Sequence, residues 1–66
     1  MFEDLSHTQI EYLIDEWIHN QRDRAIMKSR LLDGITFERL SELYELSVTQ
    51  TKTIVRKSKE VLLKHI

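Results

Sequence analysis

Apolar residues recur with helical spacing in four separate stretches, and each stretch follows a residue suited to cap a helix. The first follows Ser6. Ile10, Leu13, Ile14, Trp17 and Ile18 stand at i, i+3, i+4, i+7 and i+8, a single stripe on the 3.6-residue period. Glu11, Asp15, Glu16 and His19 fall off it. Ser6 with Gln9 three residues later makes a capping-box pattern. The spacing predicts a helix from Ser6 to near His19, with Phe2 and Leu5 packed back on it from outside the cap. A second helix is predicted from Asn20, with the Asp23 carboxylate in its positive first turn. It buries Ile26 and Met27, together with Ala25, Leu31 and Leu32. Gly34, the only glycine, supplies the left-handed residue that closes it.

A third, short helix begins after Thr36 and runs about two turns, with Phe37, Leu40, Leu43 and Tyr44 on one face. A break at Glu45-Leu46-Ser47 follows. Ser47 and Gln50 then repeat the capping-box pattern. Val48, Thr51, Val55, Ser58 and Leu62 form the stripe of a fourth helix, with Ile54 and Val61 beside it. This helix is predicted to run almost to Ile66, about five turns. The fold class expected is all-α: a small four-helix bundle over residues 1–66, one domain, with a helix-turn-helix at about 37–64 and no wing.

Composition narrows the function. A chain of 66 residues holds little core, and its expected stability is about 3–5 kcal/mol. With no cysteine, neither disulfides nor thiolate metal sites supplement it. No apolar run approaches the roughly 20 residues that span a bilayer. The acidic, polar start does not resemble a signal peptide, so a cytoplasmic protein is expected. Met1 and the capped first helix lead to the expectation of a complete small protein.

The net charge of −1 conceals an asymmetry. Met1 to Leu46 carries five Lys/Arg against ten Asp/Glu, a balance of −5. Ser47 to Ile66 carries five Lys/Arg against one Glu, a balance of +4. A basic last helix on an acidic body is the electrostatic footprint of a polyanion-binding face. The plainer alternative is a solvated helix end, where Lys and Arg are favoured in any case.

A short amphipathic helix, a three-residue turn and a second capped helix make the helix-turn-helix pattern. Turning Val48, Thr51 and Val55 inward leaves the other face of the fourth helix for DNA. Ser47, Thr49, Gln50, Lys52, Thr53, Arg56 and Lys57 are the candidate DNA-binding residues. Gln50 suits adenine bidentately, and Lys52 and Arg56 suit guanine or a phosphate. Thr49 and Thr53 suit bases, phosphates or a thymine methyl. The helix N-terminus at Ser47 offers amides to a phosphate. Arg22, Arg24, Lys28 and Arg30 on the second helix are candidates for phosphate contacts or for pairing with the acidic residues around them.

These residues resemble region four of bacterial sigma factors and the related response-regulator type of helix-turn-helix. The resemblance covers Arg22 to Leu62 and is carried by Leu32, Gly34, Thr36, Phe37, Leu40, Ser41, Leu46, Ser47, Gln50 and Lys52. The overall look is similar to small prophage or mobile-element helix-turn-helix proteins. It implies binding of duplex DNA and a role in transcription. Two positions depart from the family pattern. Glu45 stands where the left-handed turn residue is usually glycine, and Thr51 stands where Val or Ile usually fills the core.

Other chemistry is poorly served. His7, His19 and His65 lack metal-site spacing, and Asp15 and Glu16 point to different sides of a helix. No Gly-rich phosphate loop, catalytic triad or cofactor fingerprint is present. No cofactor, metal or catalysis is therefore expected. Trp17 suits either the core or an aromatic anchor at a dimer contact. The expected function is sequence-specific binding of double-stranded DNA in transcription regulation, as a homodimer on two half-sites or with a partner such as RNA polymerase. The alternative is a protein-interaction module that presents the same helices to the polymerase or another regulator.

Overall fold

The computed structural model of the protein describes residues 4–66. Four helices follow in order: α1 His7–Trp17, α2 Gln21–Leu31, α3 Phe37–Leu43 and α4 Val48–Leu63. Among the described residues there is no strand. Each helix opens where a side-chain oxygen satisfies an otherwise unpaired amide. Ser6, Asn20, Thr36 and Ser47 accept from the backbone N–H of Gln9, Asp23, Arg39 and Gln50. At Ser6 and Ser47 the glutamine reaches back to the cap's own N–H, which completes a box.

The core draws Ile10, Ile14 and Ile18 from α1 and its end, Ile26 and Met27 from α2, Leu40 from α3, and Val55 and Leu62 from α4. Leu5, Leu13, Leu31, Leu32 and Phe37 pack around it, half-buried. Phe2 lies outside the described residues. α4 is the common partner, packing on α1, α2 and α3. Its inward stripe is Thr51, Val55, Ser58 and Leu62, all buried, with Val48 half-buried at the edge. Thr51 is fully buried, and its hydroxyl donates to the Ser47 carbonyl at 2.9 Å. Its methyl can then stand where a valine would, with no polar atom left unpaired.

Several expectations need correction. Leu43 is not on the buried face of α3: it is 53% exposed, and Ser41 is buried instead. At 100° per residue, Phe37, Leu40, Ser41 and Tyr44 share one arc about 100° wide, and Leu43 falls beyond its edge. The Ser41 hydroxyl is satisfied by the Glu38 carbonyl at 2.6 Å. Trp17 is not core either. It is 38% exposed and lies flat on His65, ring centroids 3.6 Å apart and 1° from parallel.

α1 stops at Trp17, short of His19, because Ile18 turns extended (φ −104°, ψ 108°) while its side chain stays buried. Arg24 of α2 donates to the Ile18 carbonyl and, at 3.0 Å, to the Asp15 carbonyl. A cation from another helix thus closes an end that has no basic residue of its own. α4 ends at Leu63, and the amides of Lys64 and His65 tighten onto Val61 and Leu62 at 3.2 and 3.0 Å.

Two left-handed residues reverse the chain. Gly34 (φ 67°) follows α2, and the Ile35 N–H returns to the Ser29 carbonyl at 3.1 Å. Glu45 (φ 54°) follows α3, with Leu46 N–H on the Ser41 carbonyl at 2.9 Å and Glu45 N–H on that of Glu42 at 3.4 Å. That pair of bonds is a Schellman closure in which glycine is the usual left-handed residue. A side chain there costs about 1–2 kcal/mol. Glycine in its place loses about 0.4–1 kcal/mol through greater freedom in the unfolded chain. Glu45→Gly is therefore expected to stabilise the fold by about 0.5–1 kcal/mol, raising Tm by several degrees in a thermal melt followed by circular dichroism. A lowered Tm would mean that the Glu45 side chain contributes more than the strain it causes.

Candidate nucleic-acid interface

The outer face of α4 follows from its inner one. With Thr51, Val55, Ser58 and Leu62 inward, the helical period turns Thr49, Thr53, Arg56 and Glu60 outward. Gln50 and Lys57 flank this line on one side and Lys52 on the other. Ser47, Thr49, Gln50, Lys52, Arg56 and Lys57 are exposed, and Thr53 is half-buried. All seven expected residues thus lie together on one side of α4, over its cap and first two to three turns.

Their side chains are not equally free. Ser47 and Gln50 are bound to each other: Gln50 N–H donates to Ser47 Oγ at 3.0 Å, and Ser47 N–H donates to Gln50 Oε1 at 2.9 Å. The Ser47 carbonyl receives both the N–H and the hydroxyl of Thr51. What remains to Ser47 is chiefly its own O–H, and to Gln50 its amide NH2 and the second lone pair of Oε1. Any base contact by Gln50 is therefore made with one lone pair of Oε1 already committed to the cap. Arg56 lies 3.4 Å from Glu60, one turn on, in an exposed pair of little energetic weight. Lys52 stands 5.8 Å from the centre of the Phe37 ring, with its ammonium exposed. From Ser47 to Lys59 the helix carries Lys52, Arg56, Lys57 and Lys59 and no carboxylate. Glu60 ends that stretch, on the same face.

The four cations of α2 divide sharply. Arg24 caps α1, as described. Arg30 donates to the Ile35 carbonyl at 2.9 Å and sits 4.1 Å over the Phe37 ring, which ties α2 to the start of α3. Lys28 pairs with Asp15 at 2.8 Å. Arg22, largely exposed, pairs with its neighbour Asp23 at 3.3 Å and lines a groove with Leu46, Thr49, Gln50, Thr53 and Ile54. Sequence alone does not separate Arg22 from the other three, because packing of α2 on α4 places it. Glu60 is different: the helical wheel of α4 already puts it in line with Thr49, Thr53 and Arg56.

A second, largely apolar groove lies at the far end of the bundle, between α1 and the last residues, lined by Leu5, Thr8, Tyr12, Leu13, His65 and Ile66. Among the described residues no helix is long and apolar enough to cross a membrane. Comparison with protein-family models, with curated proteins and with solved structures finds no match to this chain.

The division of the α2 cations is open to measurement. Arg24→Ala is expected to lose about 1–3 kcal/mol in urea unfolding, because it strips donors from two carbonyls at the end of α1. Arg22→Ala should stay within about 0.5 kcal/mol of the parent. Equal losses at both positions would contradict the assignment.

Proposed function

We propose that the protein binds double-stranded DNA through the outer face of α4, as a non-catalytic regulator of transcription of the sigma region-four-like type. The observation that carries this reading is the concentration of polar and cationic side chains on the first turns of one helix. That helix packs across a short preceding helix after a left-handed turn, in a body of opposite charge balance. A helix so placed fits the major groove, with its N-terminal residues nearest the base edges. Lys52, Arg56, Lys57 and Arg22 are positioned as phosphate or guanine contacts. Thr49, Thr53, Gln50 and the Ser47 hydroxyl supply shorter-range hydrogen bonds. Glu60 limits the contact to the turns of α4 before it, since its carboxylate would face phosphates.

Size bears on the partners. The Cα extents are 29 × 19 × 18 Å. Successive half-sites lie about 34 Å apart along B-DNA. One copy therefore reaches a single half-site, and specificity in a genome calls for a second copy or for a DNA-bound partner such as RNA polymerase. A second reading, a module that binds protein rather than DNA, draws on the acidic body and the exposed Tyr12 and Ile66 beside the distal groove.

Fluorescence anisotropy of a labelled random-sequence duplex distinguishes the two. Four phosphate contacts give a log–log salt slope of about −3 to −4, so affinity should fall roughly a hundredfold between 50 and 200 mM salt. Lys52→Glu and Arg56→Glu should each reduce binding at least tenfold while leaving the helical circular dichroism signal unchanged. Binding that survives both reversals would remove α4 as the contact. No binding even at low salt would favour the protein-interaction reading.

A further inference from the structure

The large apolar side chains left in water are unevenly placed. Among the described residues they are Tyr12, Trp17, Leu43, Leu63 and Ile66. All but Leu43 lie where α1 meets the close of α4. Tyr12 and Ile66, 62% and 58% exposed, line the distal groove together with Leu5 and Leu13. Trp17 lies on His65, which belongs to the wall of the same groove. Leu63 closes α4 three residues before Ile66. Such clustering on so small a domain marks an association surface, unlike apolar residues scattered singly.

The charges around the cluster bear on what covers it. α1 carries Glu11, Asp15 and Glu16 and no Lys or Arg. Lys28 pairs with Asp15 at 2.8 Å, whereas Glu11 and Glu16 stand exposed on either side of Tyr12. The end of α4 has the opposite sign, with Lys59 and Lys64 beside Leu63 and Ile66. Glu60 turns to Arg56 instead. One copy thus presents an acidic apolar strip and a basic apolar strip that meet at one groove. A two-fold axis brings the same patch of two copies together. Laying α1 on α1 would oppose like charges. Laying α1 of each copy on the α4 end of the other pairs acid with base twice and buries apolar side chains from both strips.

We infer that this end of the molecule is a homodimer interface, in which Tyr12 of each copy enters the distal groove of the other and Glu16 faces Lys64 of the opposite copy. Aromatic side chains are favoured at the centres of such interfaces. A dimer of standard size takes about 800 Å² from each copy, less than a fifth of the chain's 4492 Å². Leu63 lies about 16 Å along α4 from Lys52, so the outer face of the first turns stays open. A second copy also supplements the small core of a short chain. The inference supplies the second copy that the duplex-binding reading calls for, on observations separate from those that carry that reading.

Sedimentation equilibrium of the whole chain without DNA tests it, from about 1 µM to about 1 mM, a range that spans weak to moderate association. The expected result is reversible association to twice the 8.0 kDa mass of one chain. Tyr12→Glu should weaken the dimer at least about tenfold with an unchanged helical circular dichroism signal. Leu43→Glu, at a comparably exposed apolar position on α3, should leave it as in the parent. Glu16→Lys and Lys64→Glu should each weaken it about three- to tenfold, and the double variant should recover most of the loss.

A monomer at the highest concentration would overturn the inference. So would a dimer indifferent to Tyr12→Glu, one broken equally by Leu43→Glu, or a double charge variant no better than the weaker single. Growth beyond two copies, the mark of a head-to-tail contact, would overturn it as well. Since no duplex is present, each of these results leaves the DNA-binding reading to its own test.

Discussion

The outer face of α4 depends on how its inner stripe is held. Thr51, Val55, Ser58 and Leu62 are buried against α1, α2 and α3 together, so α4 is gripped by every other helix. Two members of that stripe are small hydroxyl residues. The Thr51 hydroxyl is satisfied locally, at the carbonyl of the capping residue Ser47. A domain of this size has a net stability of only a few kcal/mol, so a face with fixed orientation requires ties beyond the apolar core. Arg24 on the end of α1 and Arg30 on the loop before α3 are two such ties.

The junction between α3 and α4 shows the same economy. Within Tyr44 to Ser47 the chain closes one helix, reverses and caps the next. Glu45 adopts the left-handed conformation although it is not glycine, and its neighbours hold it there through the Leu46 and Glu45 amides. Ser47 then commits its N–H, Oγ and carbonyl to the first turn of α4. One residue thus starts the helix, satisfies Thr51 and orients Gln50. Local folding chemistry and the donor pattern offered to a ligand are set by the same atoms.

Much of this is written in local sequence. Ser-x-x-Gln appears twice and marks two helix starts, because the pattern is satisfied within four residues. The stripes of α1 and α4 are long enough for periodicity to assign their faces, and the side of α4 opposite its stripe carries Thr49, Thr53 and Arg56. What sequence hides depends on neighbours. α3 has seven residues, too few for periodicity to decide between Ser41 and Leu43. Trp17 fits its stripe but is covered by His65 from the other end of the chain. The end of α1 is set by Arg24, whose role cannot be told from that of Arg22 without the packing of α2.

The most direct test is a two-dimensional 1H–15N NMR titration of the protein with a short random-sequence duplex at low salt. The account predicts amide shifts concentrated from Ser47 to Lys57 and around Arg22, with α1 and the His65 end largely unmoved. Shifts centred on Tyr12, Leu13 and His65, or none at all, would contradict it and turn attention to the distal groove.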